Sequence, residues 1–313
     1  MINISFVICT YNSPELIKRA VESILRQKFK GKIEILLIDG GSDRETISLI
    51  EEYVKKDRKF RYFHNKEQFP EGVGKGKWLA WKNVGGEYVA IVDQDNELQG
   101  ENWINEMLKP FEDEEIFGAS CKTLLKKEDS LTNQYITLQG TDPALAYQSL
   151  DGQDLEKIGK DKGEYIEIEI SKEFPLLTGG NCFIYRKSYL DGVGGYTKDT
   201  ENIRKLVNSG KNKIAIPKKA RTHHFAIKNF LDFVKKKKKW AKTYKKETKD
   251  ISYLPKNKKQ RRELIINFFK IFTIIPNVYT AFRKTIKTRQ KAWLLHPLLT
   301  LITTLIYLLY VKK

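Results

Sequence analysis

The sequence predicts an α/β fold: a mostly parallel sheet covered by helices on both faces, followed by a basic and hydrophobic helical region. Three observations lead there. Short apolar, β-branched runs alternate with helically spaced segments over the first hundred residues. The runs are apolar nearly throughout, as strands buried on both faces are. Charge is also partitioned along the chain. Residues 1–227 hold 34 Lys and Arg against 35 Asp and Glu, while residues 228–291 hold 21 against 4, within a formal net charge of +18.

Taken in order, Ile4-Ser5-Phe6-Val7-Ile8-Cys9 reads as the first strand. Thr10-Tyr11-Asn12-Ser13-Pro14 turns into a helix that places Leu16, Ile17, Ala20, Val21, Ile24 and Leu25 on one side. The second strand, residues 33–38, stops at Asp39-Gly40-Gly41-Ser42. A helix through Ile47, Ile50 and Tyr53 and a short strand near residues 60–63 follow. Residues 72–77, Gly-Val-Gly-Lys-Gly-Lys, read as a loop before a strand over 88–92. Ligands of such sheets sit beyond the carboxyl ends of the strands. Asn12, Asp39, Asp93 and Asp95 all fall there. Residues 100–175 carry no readable motif. Beyond them come Leu177-Thr178-Gly179-Gly180-Asn181, Gly194-Gly195-Tyr196, a polar helix from 199 to 209 closed by Gly210, and a strand over 213–217. This domain is expected to occupy residues 1–227.

Residues 228–263 read as a basic helical linker with aromatic residues among the lysines of 235–239. Residues 264–282 are apolar but contain Lys270 and Pro276, which suits a helix lying in a membrane interface. Residues 294–311 hold no formal charge. As a helix they reach roughly 27 Å against a hydrocarbon core of about 30 Å, so they read as a single span or a shallow anchor. Both segments also suit core helices of a second soluble domain. Cys9, Cys121 and Cys182 lack CxxC spacing, which argues against a disulfide framework or zinc site and suits a reducing compartment. The opening residues go straight into a strand pattern with no secretory leader expected.

The chemistry concentrates at Asp93-Gln94-Asp95, where an apolar run stops at two carboxylates. Hard oxygen ligands suit Mg²⁺ or Mn²⁺, with substrate phosphates completing the shell. An aspartate-rich turn bonded to its own backbone is the plain alternative. The glycine-lysine segment is no phosphate-binding P-loop, since no Ser or Thr follows the lysine. Lys77 is either a solvated loop lysine or a diphosphate contact. Tyr11 suits a core position as well as a base-stacking one.

Taken together, Val7 to Asn12, Ile38 to Ser42, the run from Gly74 to Asp95, the two glycine-rich loops and Asp199-Thr200-Glu201 resemble, in order, the inverting family-2 glycosyltransferases of the GT-A fold. The resemblance spans about residues 4–224. It implies a Rossmann-like GT-A domain that binds a nucleotide-sugar donor. Thr10, Tyr11, Asn12, Asp39, Lys77, Asp93, Gly179 and Gly180 would then line the donor site. Asp95 would ligate a divalent cation, Mn²⁺ or Mg²⁺, with His223 or His224 as a further ligand. Asp199 would be the catalytic base, with Glu201 as runner-up. The chain departs from the family at Lys198, where an acid is usual, and at Asp43-Arg44, where Thr-Asp is usual. A lipid-linked or other saccharide acceptor explains why a near-neutral domain carries a basic, apolar foot drawn to anionic lipids. The expected place is the cell membrane, catalytic domain on the cytoplasmic side. A nucleotidyltransferase and a nucleic-acid-binding protein are the competing readings. No recognised nucleic-acid module accompanies the lysine run, so no nucleic-acid partner is expected.

Overall fold

The computed structural model describes residues 2–65, 72–140, 143, 158–170, 180–247, 262, 265, 266 and 269–311. β1 (Ile2–Thr10), α1 (Pro14–Leu25), β2 (Ile33–Asp39), α2 (Arg44–Lys56) and β3 (Phe60–His64) succeed one another as the apolar runs imply. Pro14 opens α1, where its missing N–H is harmless, and Ile17, Ala20, Val21 and Ile24 turn inward. α2 starts at Asp43, whose side chain accepts from the Thr46 amide at 2.9 Å. The family departure at Asp43 thus serves as a helix cap.

The segment expected as a loop is a helix, α3 (Gly72–Trp81). Glycine disfavours a helix by about 1 kcal/mol per residue, which disguises it in the sequence. At Gly76 the small residue serves close approach to the sheet: a Cβ there would lie 3.2 Å from Cys9 Sγ.

The chain continues through β4 (Gly86–Ile91), β5 (Asn96–Leu98), α4 (Trp103–Leu108), β6 (Ile116–Ala119), β7 (Lys122–Thr123) and α5 (Leu131–Gln139). Next come β8 (Lys160–Asp161), β9 (Tyr165–Glu169), β10 (Phe183–Arg186), α6 (Lys187–Asp191), α7 (Asp199–Asn208), β11 (Lys213–Pro217) and β12 (Arg221–His224). Among the described residues nine strands form one sheet, in the order β3-β2-β1-β4-β10-β6-β11-β9-β8. The half made by β1 to β4 is parallel, whereas β10 runs antiparallel to both β4 and β6. A second sheet, β5-β12-β7, pairs His224 with Asn96 and His223 with Glu97. That pairing carries the chain's late histidines to the turn after β4.

By contacts the chain divides into two units, residues 1–124 with 158–224, and residues 125–157 with 225–313. The second unit therefore recruits α5 from mid-chain to join α8 (Phe230–Glu247), α9 (Ile275–Thr288) and α10 (His296–Val311). A single boundary at 227 is what the charge pattern suggests; the contacts follow burial instead. Tyr135, Phe233, Trp293 and Leu299 share a buried cluster there. The apolar stretch 264–282 does not form one helix. It breaks at Thr273 and Ile274, the latter at φ +59°, and restarts at Ile275 ahead of Pro276. Asn277 Nδ2 then donates to the Ile271 carbonyl at 2.9 Å, satisfying the end of the preceding turn.

His296 is 2% exposed, its Nδ1 lying 2.9 Å from the Tyr135 hydroxyl. Burial, reinforced by Lys284, holds its pKa down at about 4. An unfolded histidine titrates near 6.5, so between these values the unfolded chain binds more protons than the folded one. Stability is therefore full above pH ~6.5 and lost as pH falls toward 4, by up to on the order of 3 kcal/mol. Urea midpoints measured across that window should fall with pH in the wild type and fall less in His296→Gln.

Candidate active site

The carboxyl ends of β1 and β2 are laced together. Asn12, at φ +41°, donates its amide to Ser42 Oγ at 3.0 Å and accepts the Asp43 amide at 2.8 Å. Asp39 is fully buried and accepts from the amides of Gly41 at 2.8 Å and Ser42 at 3.1 Å, with the Ser42 hydroxyl also donating to it. Thr10 Oγ1 reaches the Ile38 carbonyl at 3.4 Å. Thr10, Asn12 and Asp39 thus tie two loops into one shelf. Tyr11 is placed by Gln94, the middle residue between the two aspartates. The Tyr11 amide donates to Gln94 Oε1 at 2.8 Å, and Gln94 Nε2 returns a bond to the Tyr11 carbonyl at 3.1 Å. The sequence offered no signal for that role.

Asp93 to Asn96 make a turn closed by the Asn96 amide on the Asp93 carbonyl at 3.0 Å. The two carboxylates leave it toward different partners. Asp93 Oδ1 lies 3.2 Å from Lys77 Nζ, and Asp95 Oδ2 lies 3.4 Å from His224 Nε2. Of the two histidines, His224 faces Asp95. His223, the expected ligand, is 2% exposed with Nδ1 3.8 Å from Glu97, because consecutive strand residues point to opposite faces. Beside His224, Asn181 sits at φ +54° with Nδ2 3.4 Å from the ring, while its buried Oδ1 has no hydrogen-bond partner among the described residues. Among the described residues no group of three or more His, Cys, Asp or Glu side chains converges as a closed cation cage. An open site of Asp95 and His224, completed by substrate oxygens, fits a Mg²⁺ or Mn²⁺ ion, and the orphaned Asn181 oxygen beside it is the kind of acceptor such a site leaves waiting.

Lys77 is the centre of the arrangement. It is 3% exposed, and its ammonium lies 3.2 Å from Asp93 and 3.3 Å from Asp199 Oδ2. Burial alone would lower its pKa; Asp199 and Asp93 overcome that and raise it, so the lysine is a fixed cation. Burial, with Asp95 and Asp199 nearby, pushes the Asp93 carboxyl above its usual range despite Lys77. Asp199 opens α7 and accepts a close hydrogen bond from the Tyr196 hydroxyl. Tyr196 is itself buried against Trp81, with ring centroids 6.0 Å apart. Under Asp199 lies Gly180, where a Cβ would stand 2.3 Å from Oδ2, so only glycine leaves the carboxylate room. Glu201, the runner-up, pairs with Arg204 Nε at 2.9 Å. Gly179 lies outside the described residues. The structure thus brings Lys77, Asp93, Gly180 and Asp199 together, and adds Tyr196, Gln94 and Asn181.

Comparisons with known proteins agree with this architecture. Residues 5–192 match the family described as glycosyl transferase family 2. Over 136 residues the chain is 30% identical to a Campylobacter jejuni protein named GalNAc(5)-diNAcBac-PP-undecaprenol beta-1,3-glucosyltransferase, covering 43% of this chain and 42% of that one. The chain spans less than half the length of the curated relatives it matches. The structure of mannosyltransferase PcManGT from Pyrobaculum calidifontis, in complex with GDP-Man and Mn²⁺, superposes with a TM-score of 0.60 at 14% identity, covering 98% of this chain and 87% of that one. S. aureus TarS in complex with UDP gives 0.52 at 15% identity, over 99% and 89% of the two chains. At such identities the likeness is one of fold, and that fold is GT-A.

Proposed function

Because the chain belongs to glycosyl transferase family 2, we propose that it is an inverting, cation-assisted glycosyltransferase, moving a hexose from a nucleotide-diphosphate sugar to the hydroxyl of a lipid-linked saccharide. The observation that carries this reading is the Asp199 carboxylate held between a fixed ammonium and a buried tyrosine hydroxyl, beside the aspartate turn. An inverting transfer needs one base opposite the leaving group. Asp199 takes the acceptor hydroxyl's proton as that oxygen attacks the anomeric carbon and the bond to the nucleoside diphosphate breaks. The shelf of Thr10, Tyr11, Asn12 and Asp39 receives the nucleoside, Asp39 acting through the loop it folds. Asp93 lies by the ribose, and Gly180 borders the sugar.

Asp95 and His224, in place of His223, would hold the Mn²⁺ or Mg²⁺ ion, which supplies Lewis-acid stabilisation of the departing diphosphate. A lipid-linked acceptor fits the basic, apolar second unit, and the relative from Campylobacter jejuni is named for such an acceptor. Residues 1–124 with 158–224 serve as the catalytic unit, and residues 125–157 with 225–313 as the membrane-associated unit. The protein works at the cell membrane with its catalytic domain on the cytoplasmic side, which suits its free cysteines.

Release of nucleoside diphosphate from UDP-, GDP- and dTDP-sugars, with Mn²⁺ or Mg²⁺ and with or without lipid extract, tests the proposal. One donor should be cleaved, only with the cation, and faster with lipid. Silence of folded protein across a broad panel would reject it.

A further inference from the structure

Among the described residues, α9 presents an exposed apolar stripe: Ile275 at 77%, Tyr279 at 67%, Phe282 at 58% and Ile286 at 77% exposure, with Val278 beside them. Their spacing of three and four sets them on one side of the helix, while Asn277 and Ala281 are buried on another. Exposed Arg283 and Lys287 flank the stripe, and Arg289 and Lys291 follow it. Residues 291–310 are apolar and long enough to cross a membrane by length and composition, yet 44% of their most apolar window is buried within the protein. α10 packs along α8: Phe233 and Leu299 share one core, and Lys242 Nζ lies 5.3 Å from the Tyr310 ring. Thr300 and Thr303 are buried on that helix with hydroxyls bonded to the His296 and Leu299 carbonyls.

We propose that this unit seats on the surface of an anionic lipid bilayer through the α9 stripe, and that α10 stays packed in the protein instead of crossing the membrane. The inference rests on the membrane-attached reading above and decides its form. To cross, α10 must either draw the lysines of α8, at 235–239 and 242, into hydrocarbon or part from α8 and open the Phe233–Trp293 core. Lying flat requires neither. The stripe enters the boundary between headgroups and acyl chains, and Arg283, Lys287 and Arg289 meet lipid phosphates. A nucleic acid would meet the cations but leave Ile275, Phe282 and Ile286 in water, so the bilayer is the partner both features fit.

The test uses the full chain with vesicles of phosphatidylcholine, with and without phosphatidylglycerol. Binding to the anionic vesicles alone, released by alkaline carbonate, is expected. The double variant Phe282→Ser/Ile286→Ser should weaken it by roughly tenfold or more, while nucleoside diphosphate release in vesicle-free buffer stays unchanged. These side chains are exposed, so the fold should tolerate both changes. Carbonate-resistant attachment with a protease-protected C-terminal segment would overturn the proposal in favour of a span. A dimer without vesicle affinity, dissociated by the same variant, would assign the stripe to a second copy, and preferential capture of an RNA oligonucleotide would assign the basic flank to nucleic acid. Vesicle binding by a protein that cleaves no donor would uphold the seat and reject only the transferase reading.

Discussion

Asp199→Asn should keep donor binding and lower turnover by about 10²- to 10⁴-fold, the range for losing a general base. The side chain is placed by contacts an amide can partly keep. Its Oδ1 still accepts from the Tyr196 hydroxyl, and Gly180 still leaves room below it. What the amide cannot do is take the acceptor's proton. Where Oδ2 faced Lys77 Nζ at 3.3 Å, an amide nitrogen would set donor against donor. A small local shift is therefore expected, and the nucleotide affinity of the variant must be measured beside its turnover. Unchanged affinity with lost turnover assigns the base. Retained transfer removes Asp199 from that role, and Glu201 does not inherit it easily, since its carboxylate is engaged by Arg204.

The parallel half of the sheet was legible because β1, β2 and β4 are buried on both faces and so carry nearly continuous apolar runs. α3 was not, because three glycines within it cancel the local helical signal, and what demands Gly76 is Cys9 on another element. β6 escaped notice for a related reason: four residues between β10 and β11 owe their strand state to long-range pairing. At the site, the residue types and their order pointed to Asp93, Asp95 and Asp199, yet the partners came from topology. Only the antiparallel pairing of β12 with β5 decides that His224 and not His223 faces Asp95. Gln94 and Tyr196 are ordinary residues in the sequence, and their roles appear once the Tyr11 loop and Asp199 are seen against them. Local pattern fixes elements that are buried all round; it cannot say which distant element will face them.

Lys77→Met should be nearly as damaging as loss of the base, and in a way that separates two roles for the lysine. One ammonium now sits against two carboxylates, Asp93 and Asp199. Without it, Asp93 loses the neighbour that counters its burial, and its carboxyl is pushed further above its usual range. Turnover at neutral pH should collapse and recover partly as the pH is raised, whereas Asp199→Asn should not respond. The carboxylates are 34% and 37% exposed, so water takes over part of their charge. The accompanying loss of stability should accordingly fall below the ~3–5 kcal/mol typical of breaking a fully buried pair. The double variant decides the mechanism. If Lys77 works by holding Asp199 in place, then adding Lys77→Met to Asp199→Asn costs little more, because the two residues act as a unit. If the lysine instead meets the donor diphosphate, the losses multiply and nucleotide affinity falls in both lysine variants. The burial of Lys77 behind the two aspartates favours the first outcome, and multiplicative losses with weakened nucleotide binding would overturn it.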